Sequence, residues 1–236
     1  VDGFRAGRTP NPCVTCNGTV RFRILSEAAA LLGARGLATG HYARVGRDEG
    51  GRPQVARAAD AAKDQSYMLA MLGRPVLERL SFPLAELPKE AVRARARVAA
   101  LPAADAVESQ EICFVGAGGH TGFLARAGLP SRPGPVEDRA GRRLGTHEGY
   151  WRFTVGQRRG IGVAGPAPLY VLATDAAGNA VVVGARQELA AHAVSVRDAV
   201  VHGEIGDEGL EVRLRYRGRP LPARVRRPPN GQTELK

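Results

Sequence analysis

At 236 residues, 44% of them apolar, the chain has material for one large domain or two to three small ones around a sizeable core. No run of about 18 apolar residues occurs, which excludes a hydrophobic membrane-spanning helix within the sequence. The formal charge of +11, from 34 basic and 23 acidic residues, weighs against a basic partner and towards a polyanion, because Lys and Arg release counterions from phosphates. Biased coding is the other source of such a charge: Lys63, Lys89 and Lys236 are the only lysines, and Ala is abundant.

In chain order, the first residues read as a loop, since Gly3, Gly7, Thr9-Pro10 and Asn11-Pro12 are turn formers. Phe22, Leu25, Ala29 and Leu32, spaced +3, +4, +3, predict a helix with one apolar face that ends at Gly33. Gly36 to Val45 reads as a short strand running into a loop, and Gln54 to Ala58 as another strand. Tyr67, Met68, Met71 and Leu72 give an apolar stripe to a predicted helix over Asp64 to Leu72. Pro88 suits the first turn of a further helix, Lys89 to Ala100. This alternation up to Phe114 predicts an α/β layer with a parallel sheet.

Gly, Pro and Arg dominate residues 116 to 147. Leu169 to Leu172 and Ala180 to Val183, flanking Asp175 to Asn179, predict a β-hairpin. Val194 to Val201 and Leu210 to Tyr216 are further strand candidates, so the second half reads as small β-rich modules. From 213 to 227 there are seven arginines and no acid. Arg213, Arg215, Arg217 and Arg219 alternate, which on a strand projects them from one face. With Tyr216 among them, such a face grips phosphates and stacks a base, or else is simply solvated.

The three cysteines lie in two segments, Asn11-Pro12-Cys13-Val14-Thr15-Cys16-Asn17 and Ser109-Gln110-Glu111-Ile112-Cys113-Phe114. Their odd number is too small for a disulfide scaffold. Val1 to Arg5 holds no apolar signal-peptide core, so a reducing cytoplasm is the expected compartment. A thiolate is both nucleophile and metal ligand. C-x-x-C puts two sulfurs on one turn, and Cys113 follows Cys16 by 97 positions. From the spacing, zinc bound by Cys13, Cys16, Cys113 and His41, iron–sulfur ligation, thiol chemistry and unrelated buried cysteines all remain open. Thr39-Gly40-His41-Tyr42 stands at a strand end, where open α/β sheets bind ligands, though a turn glycine with a satisfied histidine reads the same way. Lys63-Asp64-Gln65-Ser66-Tyr67 places a cation, an anion and an amide before the predicted helix, with Asp64 equally suited to plain N-capping.

Taken together these segments resemble the bacterial tRNA-specific 2-thiouridylases. The resemblance runs through Gly7 to Cys13, Cys16-Asn17, Ala38 to Tyr42, Lys63 to Tyr67, Ser109 to Phe114, His147-Glu148-Gly149, Phe153 to Gly160, Leu169 to Leu172 and Arg215-Tyr216, in the family's order. It implies an α/β ATP-pyrophosphatase domain of the adenine-nucleotide α-hydrolase type over 1–116, a central domain over 117–186 and an incomplete C-terminal β-barrel over 187–236. The family's glycine- and serine-rich pyrophosphate loop would precede Val1, and its Gly-Gln run and aromatic tail would follow Val225. Neither is in this sequence, so the expectation is a chain that binds tRNA but makes no thiouridine alone.

The implied reaction is ATP-dependent adenylation of the C2 oxygen of uridine 34 in the anticodon stem-loop, followed by sulfur transfer. Cys113 would carry a persulfide and Cys16 would be the nucleophile that ends in a Cys16–Cys113 disulfide. Gly40 would contact ATP, with Mg2+ beside it, while Asn11, Pro12 and Cys13 flank the target base. His41, Lys63, Asp64, Gln65, Arg215 and Tyr216 would contact tRNA, and a separate protein would donate sulfur. Some members of the family carry Asp where Cys13 stands. With Cys13, Cys16 and Cys113 as ligands, a [4Fe–4S] cluster would deliver sulfide instead. The competing class is a non-enzymatic basic RNA-binding module stabilised by zinc.

Overall fold

The computed structural model describes residues 1–106, 112–116, 118–196, 199–202, 209–214, 218–226 and 233–235. Its helices are α1 (Asp2–Arg5), α2 (Pro12–Cys16), α3 (Phe22–Leu31), α4 (Arg74–Leu77), α5 (Lys89–Val98) and α6 (Gly119–Arg126). A π-helical turn, Asn17–Arg21, fuses α2 to α3, and 3-10 turns occupy Ser66–Leu69, Tyr150–Arg152 and Arg186–Leu189. The strands are β1 (Leu37–Ala38), β2 (Ala43–Arg47), β3 (Pro53–Arg57), β4 (Leu80–Ser81), β5 (Gly134–Glu137), β6 (Arg143–His147), β7 (Tyr170–Asp175) and β8 (Ala180–Gly184). Five short ones follow: β9 (Val194–Val196), β10 (Leu210–Val212), β11 (Leu221–Ala223), β12 (Val225–Arg226) and β13 (Thr233–Leu235). The chain divides into two compact units, Val1–Asn11 with Ser109–His192, and Pro12–Glu108 with Ala193–Lys236.

In the first unit the sheet order is β6-β5-β8-β7. β5 pairs antiparallel with β6 and parallel with β8, which turns antiparallel onto β7. The expected hairpin forms: the Asp175 carboxylate accepts the Ala177 and Gly178 N–H groups, and Asn179 takes the left-handed conformation at φ +50°. Val136, Val171, Val181 and Val183 are fully buried and pack with Phe153 and Ile161. Burying each such side chain contributes about 1.5–3 kcal/mol. A second cluster of Phe4, Leu124, Leu129 and Trp151 explains why the N-terminal residues join this unit. Tyr150 Oη donates to Arg5 O, and Thr174 Oγ1 to Gly7 O at 2.7 Å.

In the second unit, β1 and β4 pair in parallel, Leu37 opposite Leu80, and β2 and β3 form an antiparallel hairpin. The core is Phe22, Ala43, Leu69, Leu72, Leu77, Leu80 and Phe82. α3 starts and ends as its sequence predicts, with Gly33 at φ +67° and Ala34 N–H closing onto Ala29 O. Only half of its apolar stripe is used: Phe22 and Ala29 are buried, while Leu32 is 85% exposed. α5 runs from Lys89 behind an extended Pro88, as expected.

Three predicted elements are corrected. The loop expected for the first residues holds the one-turn helix α1, Asp2–Arg5, ahead of Gly7 at φ +69°. The helix expected over Asp64 to Leu72 contracts to a 3-10 turn at Ser66–Leu69. Tertiary hydrogen bonds take the groups that a helix would have used: Asp64 Oδ1 accepts from Ala58 and Ser66 N–H, and Gln65 N–H donates to Tyr42 O. The strand expected over Leu210 to Tyr216 is shorter among the described residues, because β10 stops at Val212 and Leu214 lies in a bend. Val212 pairs with Leu221, beyond which the residue preceding β11 is Pro220, with no N–H to extend the ladder. Arg215, Tyr216 and Arg217 lie outside the described residues. Among the described residues, the C-terminal segment forms the sheet β12-β13-β9 and the pair β10-β11.

Candidate functional site

In the second unit, Pro12 opens α2, a position where its missing N–H costs nothing. Cys13 and Cys16, both half-buried, lie one turn apart on that helix. The helix then widens into the π-helical turn, a form that often marks functional segments. Two residues set this turn against the chain after Gln65. Asn17, 2% exposed, donates from Nδ2 to Met68 O at 3.1 Å. Gly18 meets Met71 so closely that a Cβ would stand 2.5 Å from the Met71 Cβ.

The Thr39–Tyr42 loop leaves the carboxyl end of β1, where Thr39 N–H donates to Ser81 O at 3.1 Å. Gly40 is exposed there, and a Cβ would meet nothing nearer than Leu84 Cδ1 at 3.7 Å, so a ligand has open access to this backbone. His41 packs its ring 5.8 Å from that of Phe22 and 6.2 Å from that of Phe82, with Nδ1 2.9 Å from Thr39 Oγ1. Burial, reinforced by the Arg21 guanidinium, holds the imidazole below its usual range, favouring the neutral ring. Tyr42 is zipped to the Lys63–Tyr67 segment: its N–H donates to Gln65 Oε1 at 3.0 Å, and its carbonyl accepts from Gln65 N–H at 2.8 Å. The Asp64 carboxylate also accepts from Ser66 Oγ at 2.9 Å. Asp64 and Gln65 thus shape the loop that carries Lys63. Cys13, Cys16, Gly40, His41 and Lys63–Gln65 all belong to one connected framework.

Asn11 and Cys113 belong to the first unit. Cys113 is exposed, next to a Phe114 ring 5.1 Å from that of Phe123. Arg126 donates to Val115 O at 3.0 Å, fixing the following residue pair to α6. Ser109, Gln110 and Glu111 lie outside the described residues. None of the three cysteines is in a disulfide. Within either unit, no three His, Cys, Asp or Glu side chains among the described residues converge on a metal position, which leaves the zinc-module reading without support.

Residues 1–117 match the tRNA methyl transferase HUP domain, and residues 121–185 the tRNA methyl transferase PRC-barrel domain. The chain is 45% identical over 237 residues to the tRNA-specific 2-thiouridylase MnmA of Chloroflexus aggregans, covering 98% of this chain and 66% of that protein. It belongs to the tRNA-specific 2-thiouridylase family. The protein of the same name from Beutenbergia cavernae is 46% identical over 230 residues, covering 94% of this chain and 60% of that one. That from Geobacter metallireducens is 45% identical over 228 residues, at 95% and 62% coverage. The chain therefore spans about two thirds of the length of the curated relatives it matches. Within this family frame the HUP segment holds both cysteine pieces, and the PRC-barrel segment holds β5 to β8.

Sequence reasoning gave no role to Asn17, Gly18 or Arg21. The dipeptide Cys16-Asn17 was the available signal: an amide side chain beside a thiol in a folded turn calls for a hydrogen-bond partner.

Proposed function

We propose that this chain serves ATP-dependent 2-thiolation of the wobble uridine of tRNA. The observation that carries the reading is the match over 98% of the chain to a tRNA-specific 2-thiouridylase. The cysteine helix, the open Gly40 backbone and the Lys63–Gln65 loop of one unit support it. ATP, with Mg2+, supplies the adenylyl group that makes the C2 oxygen of uridine 34 a leaving group. Gly40 gives the nucleotide room at the strand end. Asn11, Pro12 and Cys13 flank the base. His41, Lys63, Asp64, Gln65, Arg215 and Tyr216 serve the tRNA, Asp64 and Gln65 by holding the loop in shape.

In the persulfide version, a donor protein loads Cys113. The outer sulfur attacks C2, and AMP leaves with the former C2 oxygen. The Cys16 thiolate then attacks Cys113 Sγ. The electron pair of the broken S–S bond stays with the sulfur on C2, giving 2-thiouridine, and Cys16 and Cys113 are left as a disulfide. A thiol reductant returns two electrons. In the other version, Cys13, Cys16 and Cys113 would hold a [4Fe–4S] cluster, which would supply sulfide. The one-turn spacing of Cys13 and Cys16 suits two of those three ligands. The remaining assignments, a cytoplasmic location and a C-terminal segment belonging to an incomplete barrel, rest on the same family reading.

A chimera tests the proposal, with this chain replacing the matching two thirds of the Chloroflexus aggregans relative. Incubated with tRNA, ATP and a persulfide donor, it should yield 2-thiouridine by nucleoside mass spectrometry. Cys16→Ser and Cys113→Ser should each abolish the product. Undiminished thiolation in the double serine variant would overturn the reading.

A further inference from the structure

A turn in the first unit has the build of an anion site that the reading above leaves unused. Thr154 to Gly160 is held at both ends by the core, since Phe153 and Ile161 are 8% and 5% exposed. Its middle is pinned to β7: Gly156 N–H donates to Val171 O at 2.6 Å, and Val171 N–H to Gln157 O at 2.9 Å. The Gln157 side chain spans the turn, accepting from Thr154 N–H at 3.0 Å and donating to Arg159 O at 2.9 Å. This frame is rigid, and its apex is Arg158-Arg159, both exposed.

Three other arginines of the same unit are matched to acids: Arg5 with Asp2 at 3.0 Å, Arg139 with Glu188 at 3.2 Å and Arg142 with Asp138 at 3.1 Å. Among the described residues, Arg158 and Arg159 have no ion-pair or side-chain hydrogen-bond partner. Arg158 stands on the rim of an open hollow of about 670 Å³, bounded by Gly160, Gly162, Gly165 and Leu169. Gly160 and Gly162 sit at φ +72° and +80°, where side chains are disfavoured, so the wall beside the arginines stays low. Thr9 Oγ1 donates to Thr154 Oγ1 at 3.1 Å, which fastens the strand of chain leading to Asn11 onto this same turn.

We propose that Arg158 and Arg159 form a phosphate grip for the RNA backbone, seating consecutive phosphates at the edge of the hollow. Two adjacent guanidiniums suit phosphate oxygens, and a preorganised turn spares the ordering cost of binding. No aromatic side chain lines the hollow, so the contact reads charge and shape, without base identity. The inference rests on the reading that tRNA is the substrate, and it adds a second point of attachment remote in sequence from the cysteine helix.

The test is filter binding of a tRNA transcript to the 236-residue chain across a salt series. Arg158→Ala/Arg159→Ala should weaken binding by about tenfold and make the log–log salt slope shallower by between about one and two units. Arg158→Lys/Arg159→Lys should keep the slope, and Arg139→Ala should leave affinity nearly unchanged. Circular dichroism should show all variants folded, since the replaced side chains are exposed. If wild type binds tRNA and the double alanine variant keeps both affinity and slope, the grip is refuted while the substrate reading stands. Loss of ATP binding with tRNA binding intact would give the pair to a nucleotide and overturn the inference. A wild-type chain that binds no tRNA would sink both.

Discussion

Asn17 Nδ2 donates to Met68 O at 3.1 Å, and this one bond ties the turn that follows Cys16 to the turn that follows Lys63–Gln65. Asn17 is buried and Met68 half-buried, so the bond is largely shielded from water. Asn17→Ala should leave the Met68 carbonyl unpaired and cost about 1–3 kcal/mol. The rate at which iodoacetamide alkylates Cys16 should change several-fold, while that of Cys113 stays constant. Unchanged melting and an unchanged Cys16 rate would remove Asn17 from this role.

Gly18 gives a prediction of opposite kind, because it adds atoms. A Cβ there would lie 2.5 Å from the Met71 Cβ, a distance that forces backbone to shift. Gly18→Ala should destabilise by about 1–3 kcal/mol. Met71→Ala in the same chain should recover part of that loss, giving a non-zero coupling in a double-mutant cycle of urea unfolding. Strict additivity would count against the close approach.

The buried histidines set a pH dependence. His147 is 3% exposed, accepts from Gly149 N–H at Nδ1 and so donates from Nε2 to Asn179 O at 3.0 Å, which defines the neutral tautomer. Burial holds it below the ordinary imidazole range, outweighing the upward pull of the Asn179 backbone bond and Glu148. His41 is lowered too, by burial and then by Arg21. Below about pH 6.5 the unfolded chain binds protons that the folded chain refuses, so stability is full above that pH and falls as pH drops towards the folded values. Urea midpoints measured between pH 7.5 and about 5 should decline. His147→Asn should flatten part of that decline, and a midpoint that rises on acidification would contradict the account.

Leu31 and Leu32 are 89% and 85% exposed at the end of α3, an unusual display for adjacent large apolar side chains. Leu31→Gln/Leu32→Gln should leave stability within about 0.5 kcal/mol of wild type. It should also reduce concentration-dependent association of the chain in sedimentation velocity. Equal association of both proteins would show the pair to be inert.

The elements set by short-range chemistry were legible from residue order. Gly33 closes α3, Pro88 precedes α5, and Asp175 to Asn179 turns the β7–β8 hairpin. In each, the deciding groups lie within a few residues, so backbone preference and local hydrogen bonds suffice. The candidate site was legible in the same way as a set of motifs: Cys13 with Cys16, Gly40 with His41, and Lys63 to Gln65. How those motifs are joined was not. Asn17 reaches Met68 across 51 positions, and Tyr42 reaches Gln65 across 23, with no periodicity to announce either bond.

Residue order alone thus determined the charge, the local turns and the chemistry-bearing side chains of this protein. Only the tertiary structure decided that Leu32 stays in solvent, that Ser66–Leu69 is a 3-10 turn, and that Phe4 leaves its sequence neighbours to pack with Leu124 and Trp151. The physical reason is the same in each case. A local pattern states that a side chain is apolar or a backbone group needs a partner, whereas which surface buries it depends on segments far away in sequence, as with Phe4 and Leu124.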